Sequence, residues 1–375
     1  MMEEAVEVPS HSNCSVYCIR VTEAIKNGDS LVYVVKSEEL SSNMQYQVDR
    51  TYEDFEWLQH CLFTQESVPG LQGIIFPPLP AKPMTCDPSS DARSFKQLGL
   101  LALGGTWQTY CRALEKYLHL VSGHSILVKN SALQSFLTHK EPPGKQIVKK
   151  GIFDKLSQAV EGLRKEHHKD IDEFFQNERD SNVRLTGLTK AASERFLEMV
   201  VAEQKIMVAC GHFSTSLQLG IGQEDDSTAC RISKICLKLS EVIDTVKEKY
   251  VSVAENNRNT IGLYLDLYSR YQEAEKEMLF RRTCKLVEVE NVNKSLVKVK
   301  STKKAIMEEI KKATDREFLE ISGMAKCEIQ NYHRERVLAF QQSLIGLCVR
   351  QLKTARESYA VLSQQLSHFR ELYGE

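Results

Sequence analysis

Residues 304–373 decide the fold and read KAIMEEIKKATDREFLEISGMAKCEIQNYHRERVLAFQQSLIGLCVRQLKTARESYAVLSQQLSHFRELY. From Ile306 to Tyr373 the apolar residues recur at steps of mostly three and four, which places them on one helical face. All 9 prolines of the chain lie at or before Pro143, so none interrupts this stretch. A helix about 100 Å long needs partner helices to cover its apolar stripe. The sequence therefore predicts a long helical bundle or coiled coil.

The proline-free tail divides into three predicted rods. The first runs from about Asp170 to Leu219 and ends at a turn rich in glycine and acidic residues over 220–226. The second starts at Ser227, and a lysine-rich turn separates it from the third, which begins near Lys304. We predict an elongated all-α three-helix coiled coil whose apolar seams are closed by a second copy or a related chain.

The first 140 residues carry a different pattern, in which strands precede short helices. Strands are predicted over residues 15–21, 31–35 and 44–48, and a three-stranded antiparallel meander is the simplest topology. This region is predicted to be α+β, whereas the tail is all-α. Helices are predicted around residues 52–62, 107–121 and 131–137, with a proline-rich loop over 77–83.

The composition excludes several classes of protein. With 42% hydrophobic and 26% charged residues the chain is not of disordered composition, and a formal net charge of −1 gives no overall attraction to nucleic acid. The 11 cysteines form no CxxC pair, and without a hydrophobic leader we expect a reduced, cytoplasmic protein. No apolar run reaches the ~20 residues of a membrane span, so membrane contact is expected to be peripheral. Without a catalytic motif we expect no enzyme, no cofactor and no metal site.

Two motifs in the α+β region resemble those of a known family. Residues 49–58 read DRTYEDFEWL and residues 77–82 read PPLPAK, and they resemble the signature and the proline loop of PX (phox-homology) domains. A PX domain before a proline-free helical tail resembles the sorting nexins that carry a BAR domain. The segments 172–175, 281–283 and 336–340 are similar to the subgroup of sorting nexins five and six. The domains this implies are a disordered N-terminus (1–13), a PX domain (14–140), a linker with an amphipathic helix (141–169) and a BAR domain (170–375).

The resemblance implies a phosphoinositide site, from which this sequence departs at two positions. PX domains typically place one arginine directly before the signature tyrosine and another on a later helix, since a guanidinium makes paired bonds to phosphate. Here Thr51 precedes Tyr52, and Tyr110 stands at the later position. Arg50, one place before Thr51, is then either a lipid ligand or a solvated surface residue. The candidate lipid-binding residues are Arg50, Tyr52, Lys82, Arg93 and Lys96.

A leucine-rich segment after the proline loop lies where PX domains place a membrane-inserting loop. Exposed leucines at a loop tip enter the bilayer interface, and Arg93 and Lys96 would meet anionic headgroups. The alternative is that the leucines pack beneath the domain. The candidate insertion residues are Leu98, Leu100, Leu101 and Leu103.

Residues 145–165 form a candidate amphipathic helix with a basic polar face. This pattern is typical of membrane-surface binding, and the resemblance implies such a helix at the junction of the two domains. A linker helix packed into the core is the alternative. The residues assigned to the amphipathic helix are Lys149, Lys150, Ile152, Phe153, Leu156, Val160 and Leu163.

The turn between the second and third rods is rich in lysine. Near an anionic leaflet each lysine contributes about 1 kcal/mol, so the cluster favours a membrane surface. Solvated helix ends are the alternative, and Glu308 and Glu309 dilute the charge. The candidate residues at this BAR tip are Lys294, Lys298, Lys300, Lys303 and Lys304.

Together, these features predict a peripheral protein of the cytoplasmic face of early endosomes. We expect it to bind phosphoinositide-containing membrane, to sense or induce curvature through a BAR dimer, and to act in endosomal sorting. The expected partners are anionic lipid, a second copy or another sorting nexin, and a cargo-tail peptide, with no nucleic acid. The alternative is a protein-interaction scaffold whose PX-like module binds cargo peptide with little lipid affinity.

Overall fold

A computed structural model describes residues 16–27, 30–65, 68–82, 107–141, 168–219 and 227–373. Within these ranges, a small sheet and short helices precede four long helices. The predicted disordered N-terminus, residues 1–13, lies outside the described residues. The order of elements confirms the predicted α+β region followed by a helical tail.

Three strands form the antiparallel meander that the sequence predicts, in the order β1-β2-β3. On β1 the side chains of Ile19 and Val21 are buried while Arg20 is exposed, so one face of the strand covers the core. A bulge follows Val21 in the register with the second strand. The strands are β1 (Tyr17–Asn27), β2 (Ser30–Glu39) and β3 (Met44–Thr51).

Three short helices pack around the sheet, and Phe55 lies at the centre of their core. Its ring is 4.9 Å from that of Phe136 and 6.1 Å from that of Tyr33, and all three side chains are buried. The first helix begins where the Asp54 carboxylate accepts a 2.7 Å hydrogen bond from the backbone N–H of Thr51. The helices are α1 (Tyr52–Phe63), α2 (Gln108–Gly123) and α3 (Ser131–Thr138).

The tail contains the three predicted rods. A π-helical turn, Arg258–Gly262, interrupts the second rod and divides it into two α-helices. The third rod is a single helix of 73 residues. The helices are α4 (Glu173–Leu219), α5 (Ser227–Asn257), α6 (Leu263–Lys298) and α7 (Ser301–Tyr373).

The described residues fall into two compact units. The first unit combines the chain up to Arg184 with Arg270–Asn331, and the second combines Leu185–Ser269 with the chain from Tyr332 onward. The first unit thus contains the α+β region, the start of α4, most of α6 and the first part of α7. In the second unit, the described residues form helical segments and the π-helical turn.

In the first unit, glycines allow a loop of the α+β region to lie directly on the backbone of α7. A Cβ atom on Gly73 would lie 2.9 Å from the backbone nitrogen of Ala325, and one on Gly70 would lie 2.8 Å from the carbonyl oxygen of Glu320. Gly70 also has a φ of 72°, which glycine adopts without strain. The Glu328 carboxylate on α7 accepts a bond from the backbone N–H of Ile75 at 3.3 Å, which holds the same loop.

Two adjacent buried arginines of α6 bind different parts of the first unit. Arg281 donates to the carbonyl oxygens of Gln72 at 3.1 Å and Ile74 at 2.7 Å, and burial lowers its pKa to about 10. Arg282 donates to the Asp170 carboxylate at 2.5 Å and to Ser322 on α7 at 3.0 Å. The α+β loop, the segment before α4 and the third rod are therefore all fastened to one turn of α6.

A polar layer crosses the helices of the second unit. Asn257 donates to Glu203 on α4 at 2.7 Å and accepts from Gln351 on α7 at 2.9 Å. Asn256 donates to Thr354 on α7 at 3.0 Å. Because polar groups in an otherwise apolar seam must meet their partners, this layer fixes the alignment of α4, α5 and α7.

We predict that Gly73→Ala destabilises the first unit by about 1–3 kcal/mol, because the new methyl group overlaps the backbone of α7. Gly323→Ala is the matched control, since a Cβ there has nothing within 4 Å and a helical alanine gains about 0.5–1 kcal/mol over glycine. Thermal unfolding and hydrogen exchange over the loop measure the difference. Equal stability of the two variants would contradict the close approach.

We also predict that Asp170→Ala costs about 3–5 kcal/mol, because it leaves the buried guanidinium of Arg282 without its counterion. Asp172→Ala is the control: its ion pair with Lys326 is partly exposed, so the loss is limited to about 1 kcal/mol, chiefly from the helix cap. Denaturant unfolding followed by circular dichroism compares them. A similar midpoint for both would show that Arg282 does not depend on Asp170.

Candidate functional site

Two tyrosine hydroxyls fasten the proline loop at the predicted lipid pocket. Tyr52 donates to the carbonyl oxygen of Pro80 at 2.7 Å, and Tyr110 donates to that of Ala81 at 2.6 Å. Tyr110 stands where the PX resemblance implies an arginine, and its side chain is buried. At this position a neutral hydroxyl, already bonded to the loop, replaces the cation that would meet a phosphate.

Lys82, the lysine of the proline loop, is paired with two carboxylates of α1. Its Nζ lies 2.9 Å from Glu53 Oε1 and 3.7 Å from Glu56 Oε2, and 5.6 Å from the centroid of the Tyr52 ring. The hydrogen bond to Glu53 raises the pKa of Lys82 above its usual range. Two acidic groups beside one ammonium leave this end of the pocket without excess positive charge, which disfavours a phosphate ligand.

Arg50 is fully buried rather than solvated. Its Nε donates to the carbonyl oxygen of Phe136 at 2.9 Å, and its two terminal nitrogens donate to the carbonyl oxygens of Asp49 and His139. Its guanidinium lies 5.3 Å from the centroid of the Phe136 ring. The alternative of a solvated surface residue is wrong, and this placement favours a role in fastening α3 to β3 over a contact with lipid.

Several predicted site residues lie outside the described residues. They belong to the candidate lipid contacts, the insertion loop and the amphipathic helix. They are Arg93, Lys96, Leu98, Leu100, Leu101, Leu103, Lys149, Lys150, Ile152, Phe153, Leu156, Val160 and Leu163.

A cleft that the sequence did not predict lies between the proline loop and α6, within the first unit. Its volume is about 300 Å³, and its apolar wall includes Phe63, Phe76 and Leu79. Glu273 and Glu277, both exposed, lie on the α6 side. The spacing Arg270, Ala274, Glu277 and Arg281 places one face of α6 along the cleft, but nothing in the sequence shows that this face meets the proline loop.

The five predicted tip lysines lie around the turn that joins α6 to α7. Lys294 and Lys298 end α6, Lys300 lies in the turn, and Lys303 and Lys304 begin α7. All five side chains are exposed. Between residues 294 and 312 the chain carries seven lysines and two glutamates, so a concentrated positive charge faces solvent here.

A second surface lies on the part of α7 that belongs to the second unit. Apolar side chains are exposed at helical spacing along it: Leu344 is 40% exposed, Leu362 44% and Leu366 52%. This group, which we call the α7 stripe, runs along one helical face, because its members fall at steps of three and four apart from one gap of about four full turns between Leu344 and Tyr359. Its members are Val337, Phe340, Leu344, Tyr359, Leu362 and Leu366. Among the described residues, no helix is apolar over enough of its length to cross a bilayer.

Comparison with known proteins identifies a matching domain family and similar full-length proteins. The PX domain family model matches residues 38–140. Sorting nexin-6 of Homo sapiens is 24% identical over 97% of this chain and 94% of its own length. Sorting nexin-32 of Homo sapiens is 23% identical over 93% of this chain and 92% of its own.

A solved structure has the same fold. The cryo-EM structure of the SNX-BAR Mvp1 tetramer covers 93% of this chain and 99% of its own, with a TM-score of 0.51 and 15% sequence identity. The sheet with its helices, the three rods and these similarities agree on one architecture. Residues 38–140 thus match the PX domain family, and over nearly its whole length the chain is similar to sorting nexins and has the fold of an SNX-BAR protein.

Proposed function

We propose that this protein is a sorting nexin of membrane trafficking: a non-enzymatic, peripheral membrane protein of endosomes that dimerises through its helical tail and senses or induces curvature. The observation that carries the proposal is the exposed lysine cluster at the α6–α7 turn. Seven lysines against two glutamates give this short segment an excess of positive charge, although the whole chain has a formal net charge of −1. Such a local excess is what an anionic leaflet attracts.

Dimerisation would multiply this attraction. Each lysine contributes about 1 kcal/mol near an anionic surface, and two linked clusters bind one surface with an avidity above that of either alone. The α7 stripe supports dimerisation, because apolar side chains at helical spacing on a coiled-coil helix require a covering helix. We propose that the covering helix comes from a second copy or from another sorting nexin.

The PX pocket is expected to add little to lipid affinity. Lys82 is held by Glu53 and Glu56, and Arg50 bonds to carbonyl oxygens inside the domain. Any preference for a particular phosphoinositide then depends on other surfaces. The second candidate function is a scaffold whose PX module binds cargo peptide, and the cleft beside the proline loop supports it.

We expect the lysine cluster to bring the full-length protein down with anionic vesicles containing phosphoinositide. The variant Lys298→Gln/Lys303→Gln/Lys304→Gln should lower vesicle affinity roughly hundredfold at low salt, by about 1 kcal/mol for each charge removed. The difference should shrink at high salt because ions screen the attraction. Co-sedimentation at two salt concentrations measures both effects.

The matched control is Lys190→Gln/Lys205→Gln/Lys234→Gln, which removes three exposed lysines of α4 and α5 and leaves the same net charge. It should pellet like the unchanged protein. If the unchanged protein does not pellet with these vesicles at either salt concentration, the membrane function is wrong and the scaffold is favoured.

The α7 stripe also predicts the oligomeric state of the protein in solution. Leu362→Asp/Leu366→Asp should halve the molar mass measured by light scattering, because two carboxylates cannot be buried in an apolar seam. Leu319→Asp is the control, since Leu319 is 68% exposed but lies on the first unit, away from the stripe. A monomeric mass for the unchanged protein would exclude a second copy as the partner.

A further inference from the structure

The α6–α7 turn exposes apolar side chains as well as lysines. Val297, the penultimate residue of α6, is 87% exposed. Ile306, on the second turn of α7, is 65% exposed. Single exposed apolar residues are common on protein surfaces, so exposure alone does not indicate a site. The relative position of Val297 and Ile306 and the charges beside them distinguish this pair from isolated surface residues.

The register of the two helices places Val297 and Ile306 at the same level of the hairpin. Lys285 on α6 forms a 2.5 Å ion pair with Glu317 on α7, and Arg282 bonds to Ser322 at 3.0 Å. These contacts show that α6 and α7 run antiparallel in the first unit. Continued toward the turn, the same register sets Val297 across from Ile306, about one helical turn from the end of the hairpin.

Exposed lysines lie beside both apolar residues, and two exposed glutamates, Glu308 and Glu309, follow Ile306. Lys294 and Lys298 flank Val297 on α6, and Lys303 precedes Ile306 by about one turn on α7. Apolar side chains beside an excess of exposed lysines match the two layers of an anionic bilayer surface, which are charged headgroups outside and acyl chains beneath. A protein partner would have to offer both a dense anionic layer and an apolar layer behind it. The charge pattern therefore favours lipid as the ligand.

We propose that Val297 and Ile306 form a wedge that enters the boundary between headgroups and acyl chains when the lysine cluster docks. The inference rests on the membrane contact proposed above and adds apolar burial to the electrostatic part of the membrane affinity. The attraction of the lysines weakens as salt screens it, whereas burial of the two apolar side chains does not. Insertion beside the headgroups also displaces lipid in one leaflet, which couples binding to curvature.

Tryptophan substitutions in the full-length protein test the insertion directly. Val297→Trp and Ile306→Trp, each compared with the unchanged protein and its two tryptophans, should show blue-shifted emission with anionic vesicles. Lipids brominated near the top of the acyl chain should quench the added emission. Leu319→Trp is the matched control, since Leu319 is equally exposed on α7 but more than three turns farther from the hairpin end, and its emission should not change.

Vesicle affinity provides the second measurement. Val297→Ser/Ile306→Ser should lower the affinity that remains at high salt by about tenfold, whereas Leu319→Ser should leave it unchanged. If the unchanged protein pellets but the tryptophans at 297 and 306 keep aqueous emission, the wedge is wrong and the lysine contact stands. If all three tryptophans are quenched alike, the contact is not local and the wedge is also wrong. If the unchanged protein does not pellet, both the wedge and the proposed membrane function fail.

Discussion

Two neighbouring buried guanidinium groups hold the first unit together. The charge and the hydrogen-bond donors of a buried arginine must meet partners inside the protein. Arg281 and Arg282 lie on the same turn of α6, and their side chains bond to different parts of the first unit. Arg281 is satisfied only when the PX loop lies on α6. Arg282 is satisfied only when the segment before α4 and the third rod are both in place. The PX domain is thus part of the unit that carries the α6–α7 turn, and its position there is fixed by polar contacts as well as by apolar packing.

Periodicity in the sequence predicted the elements well, because the burial that causes it is local. The steps of three and four on α7 and the alternation over residues 44–48 of β3 follow directly from which faces are covered. The π-helical turn at Arg258–Gly262 left no recognisable pattern, since one inserted residue shifts the helix phase without changing its composition. Contacts between distant segments were not predicted either. Neither Gly73 nor Arg281 shows in its own neighbourhood that it meets a partner some two hundred residues away.

Arg50 shows that a sequence motif gives the type of a residue but not the direction of its side chain. The signature placed an arginine near the expected phosphate site, but the direction of a side chain on a strand is set by its parity. Val48 and Arg50 lie two residues apart on β3, and both are buried. Because β3 continues to Thr51, beyond the predicted strand over residues 44–48, extending the alternation by one step would have placed this guanidinium on the inner face. The paired carboxylates at Lys82 were visible as Glu53 and Glu56, one helical turn apart at the start of α1.

The close approach at Gly73 has a consequence for related sequences. At this point the side chain of any residue other than glycine would overlap backbone atoms of α7. The identity of this one loop residue therefore reports on a contact between distant parts of the chain. A homologue that keeps glycine there can pack its PX module against α7 in the same way. A homologue that bears any side chain there must place that module differently against α7, and the exposed surfaces of the module are then oriented differently too.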